Sequence, residues 1–489
     1  MYRSLILSPL LLLAAIGPAA AQTVTAEALR AHVEVLASDA FEGRKPGTAG
    51  EAATLAYISD AFASAGLEPA IEGKWLQPVP LAERKAGSVA ITWRDARRTL
   101  RFDKDDFVAI GREADARVTD APVWFVGHGV PLQIEGADLK GAVALVLYDE
   151  PELPGFPSYG ERVRALTDAG AAAVVGIVGE DSSWDAIRGA FARGQNRIGD
   201  ETVAPVQGAI PLSAATALLG QAGVDLGKLL NSGAGPTFRA VQFQVRATLD
   251  VKTAVNAYTS HNVVGRLRGT GKSQQTLLLL AHWDHLGLCR PEGVADRICN
   301  GAVDNASGIA MLIEAAKALA TGPKPDRDIL FLATTAEEMG LLGAQYYADH
   351  PVEPLSTIVA AFNADTVAIT PKGTPVAILG RGTTALEPII ESVAQELGRT
   401  IDRDDEAAPL LARQDGWALT RRGVPALMVG GNFSDMKRLG RFLSGAYHGP
   451  DDEVGETLDL GGAAEDTDLL IALGRRIGSV DGYQPPAPR

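Results

Sequence analysis

A chain of 489 residues is longer than one core normally holds, so two domains, or a large domain with an insertion, are expected. Its 46% hydrophobic and 21% charged residues are those of a globular protein and argue against a disordered or fibrous one. The formal charge of −15 argues against nucleic acid or an anionic membrane surface as partner, since both demand basic patches.

The first predicted element is not part of the fold. Arg3, the apolar run Leu5 to Ile16 and Ala19-Ala20-Ala21 before Gln22 have the order of a secretory signal peptide, residues 1–21. The run is too short to span a bilayer, no cysteine stands at the cleavage point, and no later segment reaches spanning length. A secreted or periplasmic chain without a membrane anchor is the expectation.

Apolar residues at helical spacing then predict helices over Ala26 to Leu36 and Gly50 to Ala65, with the glycine-rich loop SDAFEGRKPGTAG between them. From about Val89 to Val245 the texture changes to short β-type runs such as VAITW, PVWFVG and AVALVLY. GERVRALTDAGAAAVVGIV there reads as a helix turning into a strand. From Asn262 a strand–helix alternation begins. It comprises NVVGRLRG, TLLLLA, a helix over Ser307 to Ala320, a strand over Ile329 to Thr334, a helix over Leu341 to Asp349 and a strand over Thr357 to Asn363. Such alternation predicts an α/β sheet with helices on both faces. The resulting division is 22–85 and 251–480 for the α/β domain, 86–250 for a β-rich insert and 481–489 for a disordered tail. Cys289 and Cys299 share one loop, and in an exported chain they are expected to form a disulfide.

Five places in the α/β part end an apolar run, or open a helix, with ionisable groups: HWD (His282, Asp284), GAVDNASG (Asp304), TTAEEMG (Glu337, Glu338), AFNADT (Asp365) and AYHGPDD (His448). In open α/β sheets ligands bind outside the carboxyl ends of the strands, so residues far apart in sequence can converge there. Imidazole and carboxylate together suit zinc, whereas oxygen-only sites suit magnesium or calcium. Two histidines and three carboxylates exceed one tetrahedral ion but fit two if a carboxylate bridges. Asp304, in a glycine-flanked turn before a helix, suits the bridge. His282 reads as a ligand and Asp284 as the carboxylate that accepts its other ring N–H.

The order His-x-Asp, Asp, Glu-Glu, Asp, His resembles the co-catalytic zinc aminopeptidases, a family that includes bacterial leucyl aminopeptidase, aminopeptidase Y and the glutamate carboxypeptidases. ASDAFEGRKPGTAGE and NGAVDNASG are similar to family segments as well. The resemblance implies a mixed sheet sandwiched by helices, of the phosphorylase/hydrolase-like kind, with a protease-associated domain as the insert. It implies two zinc ions, one held by His282 and Asp365, the other by Glu338 and His448, with Asp304 bridging. Glu337 would be the general base and Asp284 the support of His282. Gln414, Thr366 and Gly449 depart from residues common in relatives, and Asp415 agrees without a firm role. His285 adjoins the motif with no evidence of a role beyond adjacency, and His32, His128, His261 and His350 read as surface or cap residues.

The implied function is that of an exported zinc aminopeptidase acting on peptides with a free N-terminus. The alternatives are a related two-zinc carboxypeptidase or deacylase, and a catalytically inactive binding protein of the same fold. A serine hydrolase is disfavoured because no Gly-x-Ser-x-Gly elbow is present. Oligomeric state has no sequence signal.

Overall fold

The computed structural model describes residues 23–100, 104–151, 153, 156–199, 204–233, 235, 237–455 and 458–486. The segment read as a signal peptide lies outside these residues. Helix α1 (Ala26–Leu36) is capped by Thr25, whose hydroxyl accepts from the Ala28 N–H at 3.1 Å, and α2 (Ala49–Ser64) follows it. Strands β1 (Leu76–Arg94), β2 (Val241–Leu267), β3 (Thr276–His282), β4 (Asp328–Thr334), β5 (Ile358–Asn363), β6 (Ala377–Leu379) and β7 (Ala426–Gly430) form one half of a mixed sheet. Helices α3 (Ser307–Thr321), α4 (Leu342–Asp349) and α5 (Leu460–Gly478) flank it.

The sheet order is β6-β7-β5-β3-β4-β2. Strand β3 pairs in parallel with both β4 and β5, Leu280 lying opposite Leu332 on one side and Asn363 on the other. A central parallel strand is covered on both faces, which is why β3 is an unbroken apolar run. Successive side chains alternate between the faces. Leu277, Leu279 and Ala281 join the core beneath α1, α2, α3 and α5, while Leu278 and Leu280 pack with Leu330, Leu332 and Tyr347 on the opposite face. All four leucines are fully buried, each stabilising the fold by roughly 1.5–3 kcal/mol relative to exposure.

Strands β1 and β2 are long enough to belong to both halves. They pair along nearly their whole length, with Ala86 opposite Thr253 and Ala90 opposite Asp250, so both expected boundaries of the insert fall inside a paired ribbon. The C-terminal end of β2 continues onto β4, and its N-terminal end pairs with Asp115–Phe125. From there the sheet runs through Val143–Leu147, Ala173–Val178 and Val206–Pro211, all in parallel. Helices Tyr159–Asp168, Trp184–Arg193 and Leu212–Gln221 belong to the same region, so the insert contains helices as well as strands. Its main core, including Trp93, Phe125, Val143, Val175 and Leu218, is separate from the cores around β3.

The expectation of a disordered tail from residue 481 fails at its start. The buried Arg327 guanidinium donates to the carbonyls of Ile477, Ser479 and Tyr483, and Tyr483 packs against the main core. A buried guanidinium needs acceptors, and the chain end supplies them. Among the described residues no helix is long and apolar enough to cross a membrane. Cys289 and Cys299 form the expected disulfide.

Candidate metal centre

Because β3, β4 and β5 are parallel, their carboxyl ends share one edge of the sheet, and the candidate ligands converge there. His282 is the last residue of β3, Glu337 and Glu338 follow β4 after a turn through Ala336, and Asp365 lies just beyond β5. Asp304 arrives from the turn before α3 and His448 from a loop after the helix Met436–Ser444.

Their spacing is specific. His282 Nε2 lies 3.3 Å from Asp304 Oδ1 and 3.4 Å from Asp365 Oδ1. His448 Nε2 lies 3.4 Å from Asp304 Oδ2 and 2.8 Å from Glu338 Oε2. The two oxygens of Asp304 are therefore divided between the two histidines, as a bridging carboxylate requires. Zinc–ligand bonds to nitrogen and oxygen are about 2.0–2.2 Å, so donors sharing one tetrahedral ion stand roughly 3.3–3.5 Å apart. Three of the four separations meet that value, and the fourth, His448–Glu338, is of hydrogen-bond length, so the donor set fits zinc in chemistry and, around His282, in spacing.

The adjacent glutamates diverge. Glu337 groups with His282 and Asp365, whereas Glu338 groups with Asp304 and His285. Burial pushes the Glu337 carboxyl well above its usual range; the His282 ring opposes this, and Asp365, Asp415 and Glu338 reinforce it. Burial also disfavours charge on His448, but the Asp304 and Glu338 carboxylates overcome it and raise the ring to about 9. The carboxylates thus recruit positive charge into the pocket.

One expected contact is different. The Asp284 carboxylate lies 3.8 Å from His282 Nδ1, which instead approaches the Asp284 carbonyl at 3.1 Å. The carboxylate is engaged by the next strand: it accepts the Glu337 N–H at 3.0 Å and the Glu338 N–H at 3.4 Å. Two fixed backbone donors leave it no reason to turn toward the ring. Asp284 therefore braces the glutamate turn, and burial pushes its carboxyl up to about 8.

Sequence reasoning missed three contributors. Asp452 is fully buried and accepts the N–H groups of Val303 and Asp304, fixing the main chain at Asp304; its only signal was its place in HGPDD. Arg44, in the EGRKPG segment, is also fully buried. Its guanidinium donates to the carbonyls of Leu36, Trp283, Asn300 and Gly301, clamping the chain next to His282 and near Asp304. Burial lowers this guanidinium to about 10 against the pull of Asp452, Asp304, Asp284 and Glu338, and it remains a cation beside the acidic cluster. His285, set aside on sequence, is buried in the centre with Nδ1 2.7 Å from Glu338 Oε1. Of the residues around the departures, Gln414 accepts from the Asn363 side chain at 3.0 Å, and Asp415 bonds the Thr334 hydroxyl.

Residues 262–473 match the model of Peptidase family M28. Aminopeptidase YwaD of Bacillus subtilis (strain 168) is 35% identical over 130 residues, 26% of this chain and 26% of that protein. The probable lipoprotein aminopeptidase LpqL of Mycobacterium tuberculosis (strain ATCC 25618 / H37Rv) is 29% identical over 136 residues, 27% of this chain and 25% of that protein. The matches thus span about a quarter of the length of these curated relatives. The solved structure of the aminopeptidase from Aneurinibacillus sp. strain AM-1 aligns with 93% of this chain and 94% of its own, with a TM-score of 0.52 and 19% identity. That likeness establishes the shared fold.

Proposed function

From the match of residues 262–473 to the model of Peptidase family M28, we propose that this protein is an exported, two-zinc aminopeptidase that removes N-terminal residues from peptides. The observation that carries the proposal is the division of the Asp304 oxygens between His282 and His448, with Glu337 beside the first of these and Glu338 beside the second. The relatives named as aminopeptidases support the same activity. Export is supported by the signal-like residues 1–21 and by the disulfide, which suits an oxidising compartment. The segment 86–250 serves as a protease-associated insert carried on the β1–β2 ribbon.

His282 and Asp365 would hold one ion, Glu338 and His448 the other, and Asp304 both. Bound zinc supplies Lewis-acid polarisation of the scissile carbonyl and lowers the pKa of water. The chain's own residues do the rest. Glu337 takes a proton from the attacking water and delivers it to the leaving amine, a role worth roughly 10²–10⁴-fold. Asp284 keeps Glu337 and Glu338 in their divergent orientations by holding both their backbone N–H groups. The acidic groups Glu337, Glu338 and Asp365 offer the substrate's α-ammonium an oppositely charged seat.

The carboxypeptidase alternative needs cations for a second substrate carboxylate. Arg421 is paired with Glu161 and Arg422 with Asp349, while Arg413 is exposed. The aminopeptidase is therefore preferred. Its test is a free peptide against its N-acetylated twin, with and without a chelator. Cleavage of the free peptide alone, abolished by chelation, is expected; equal cleavage of both would move the assignment to the carboxypeptidase.

A further inference from the structure

We propose that His285 is a positioning residue that fixes the orientation of Glu338 by donating a hydrogen bond from Nδ1 to Oε1, and is not itself a zinc ligand. The inference rests on the two-zinc reading of the site and adds a residue to it.

The ring is buried. Its Nδ1 is 2.7 Å from Glu338 Oε1 and 3.8 Å from Asp304 Oδ2. Co-ligands of one tetrahedral ion stand roughly 3.3–3.5 Å apart, whereas a charge-assisted N–H···O bond is about 2.7–2.9 Å. Both His285 Nδ1, at 2.7 Å, and His448 Nε2, at 2.8 Å, approach Glu338 at hydrogen-bond length; they differ at Asp304, where His448 Nε2 stands at 3.4 Å, the spacing of a co-ligand, and His285 Nδ1 at 3.8 Å, outside it. His285 Nε2 is buried and has no hydrogen-bond partner among the described residues. A buried imidazole with one partnered nitrogen carries its proton on that nitrogen, since a stranded N–H costs more than a stranded lone pair. Nδ1 is thus the donor and Glu338 Oε1 the acceptor.

The consequence lies on the other oxygen. With Oε1 held by His285, Oε2 is directed to His448, 2.8 Å away. The ring itself is held from below: a Cβ on Gly301, a residue with φ 59°, would lie 2.6 Å from His285 Cγ, so the chain keeps glycine there. Hydrogen-bonded partners of metal-ligating carboxylates are worth about 10–100-fold in metal affinity when removed.

The experiment measures zinc affinity by chelator competition on metal-depleted protein, for the parent chain, His285→Phe and His285→Asn. It also compares the visible spectra of their cobalt(II) forms. The parent should take up two ions. His285→Phe should bind one of them roughly 10–100-fold more weakly and the other unchanged. His285→Asn, whose side-chain N–H group stands near the place of Nδ1–H, should recover most of the affinity with a parent-like cobalt spectrum. Parent-like affinity for both ions in His285→Phe overturns the positioning role alone. An altered cobalt spectrum in His285→Asn without recovery makes His285 a ligand and also overturns it. A parent chain that binds no zinc overturns both this inference and the proposed function.

Discussion

The Asp452 carboxylate accepts the backbone N–H of Asp304 at 3.0 Å, and its other oxygen accepts that of Val303 at 2.9 Å. Asp304 is therefore held by its own main chain, from a residue four positions beyond His448. Replacing Asp452 with alanine strands two buried donors, each costing roughly 1–3 kcal/mol. Asp452→Ala should lower unfolding stability in urea by that order and reduce bound zinc. A variant as stable as the parent with full metal content would contradict the role given to Asp452.

Arg44 makes four hydrogen bonds to carbonyls from a fully buried guanidinium. A lysine keeps the charge but has three donors at a single nitrogen and cannot reproduce the planar fork. Arg44→Lys should therefore lower the melting temperature and the metal content together. Calorimetry beside metal analysis checks this, and an unchanged melting temperature would contradict it.

The disulfide clips the loop between His282 and Asp304. Denatured, unreduced protein should show no titratable thiol. For a loop of this size, joining residues ten apart, Cys289→Ser with Cys299→Ser should cost roughly 2–3 kcal/mol by loss of chain restriction in the unfolded state. Two reactive thiols in the denatured parent would remove the basis of that expectation.

The convergence of His282, Glu338 and Asp365 was legible in the sequence because these candidate ligands follow apolar strands. Leu277 to Leu280 marked a buried strand, and the ionisable groups after such strands could be assigned to one sheet edge without knowing the packing. His285 was not legible: in a loop, spacing does not say where a ring points, and its role depends on the turn that brings Glu338 to it. Asp284 was assigned to the imidazole because they are neighbours in sequence, yet the backbone N–H groups after β4 are its partners. The same limit applies to the insert. Composition changes near Val89 and Val245 marked its texture, but β1 and β2 pass through both changes as continuous strands. Tyr483 was lost in a proline-rich tail, since its partner Arg327 is far away in sequence.

Under the proposed function the neighbouring glutamates divide the work, Glu338 holding metal and Glu337 moving the proton. Metal content and kcat determined on the same preparation of Glu337→Gln test it most directly. Glutamine keeps the size and removes the base, so two zinc ions per chain should remain while kcat falls by roughly 10²–10⁴-fold. Loss of zinc in Glu337→Gln, or a kcat equal to that of the parent, would contradict the assignment.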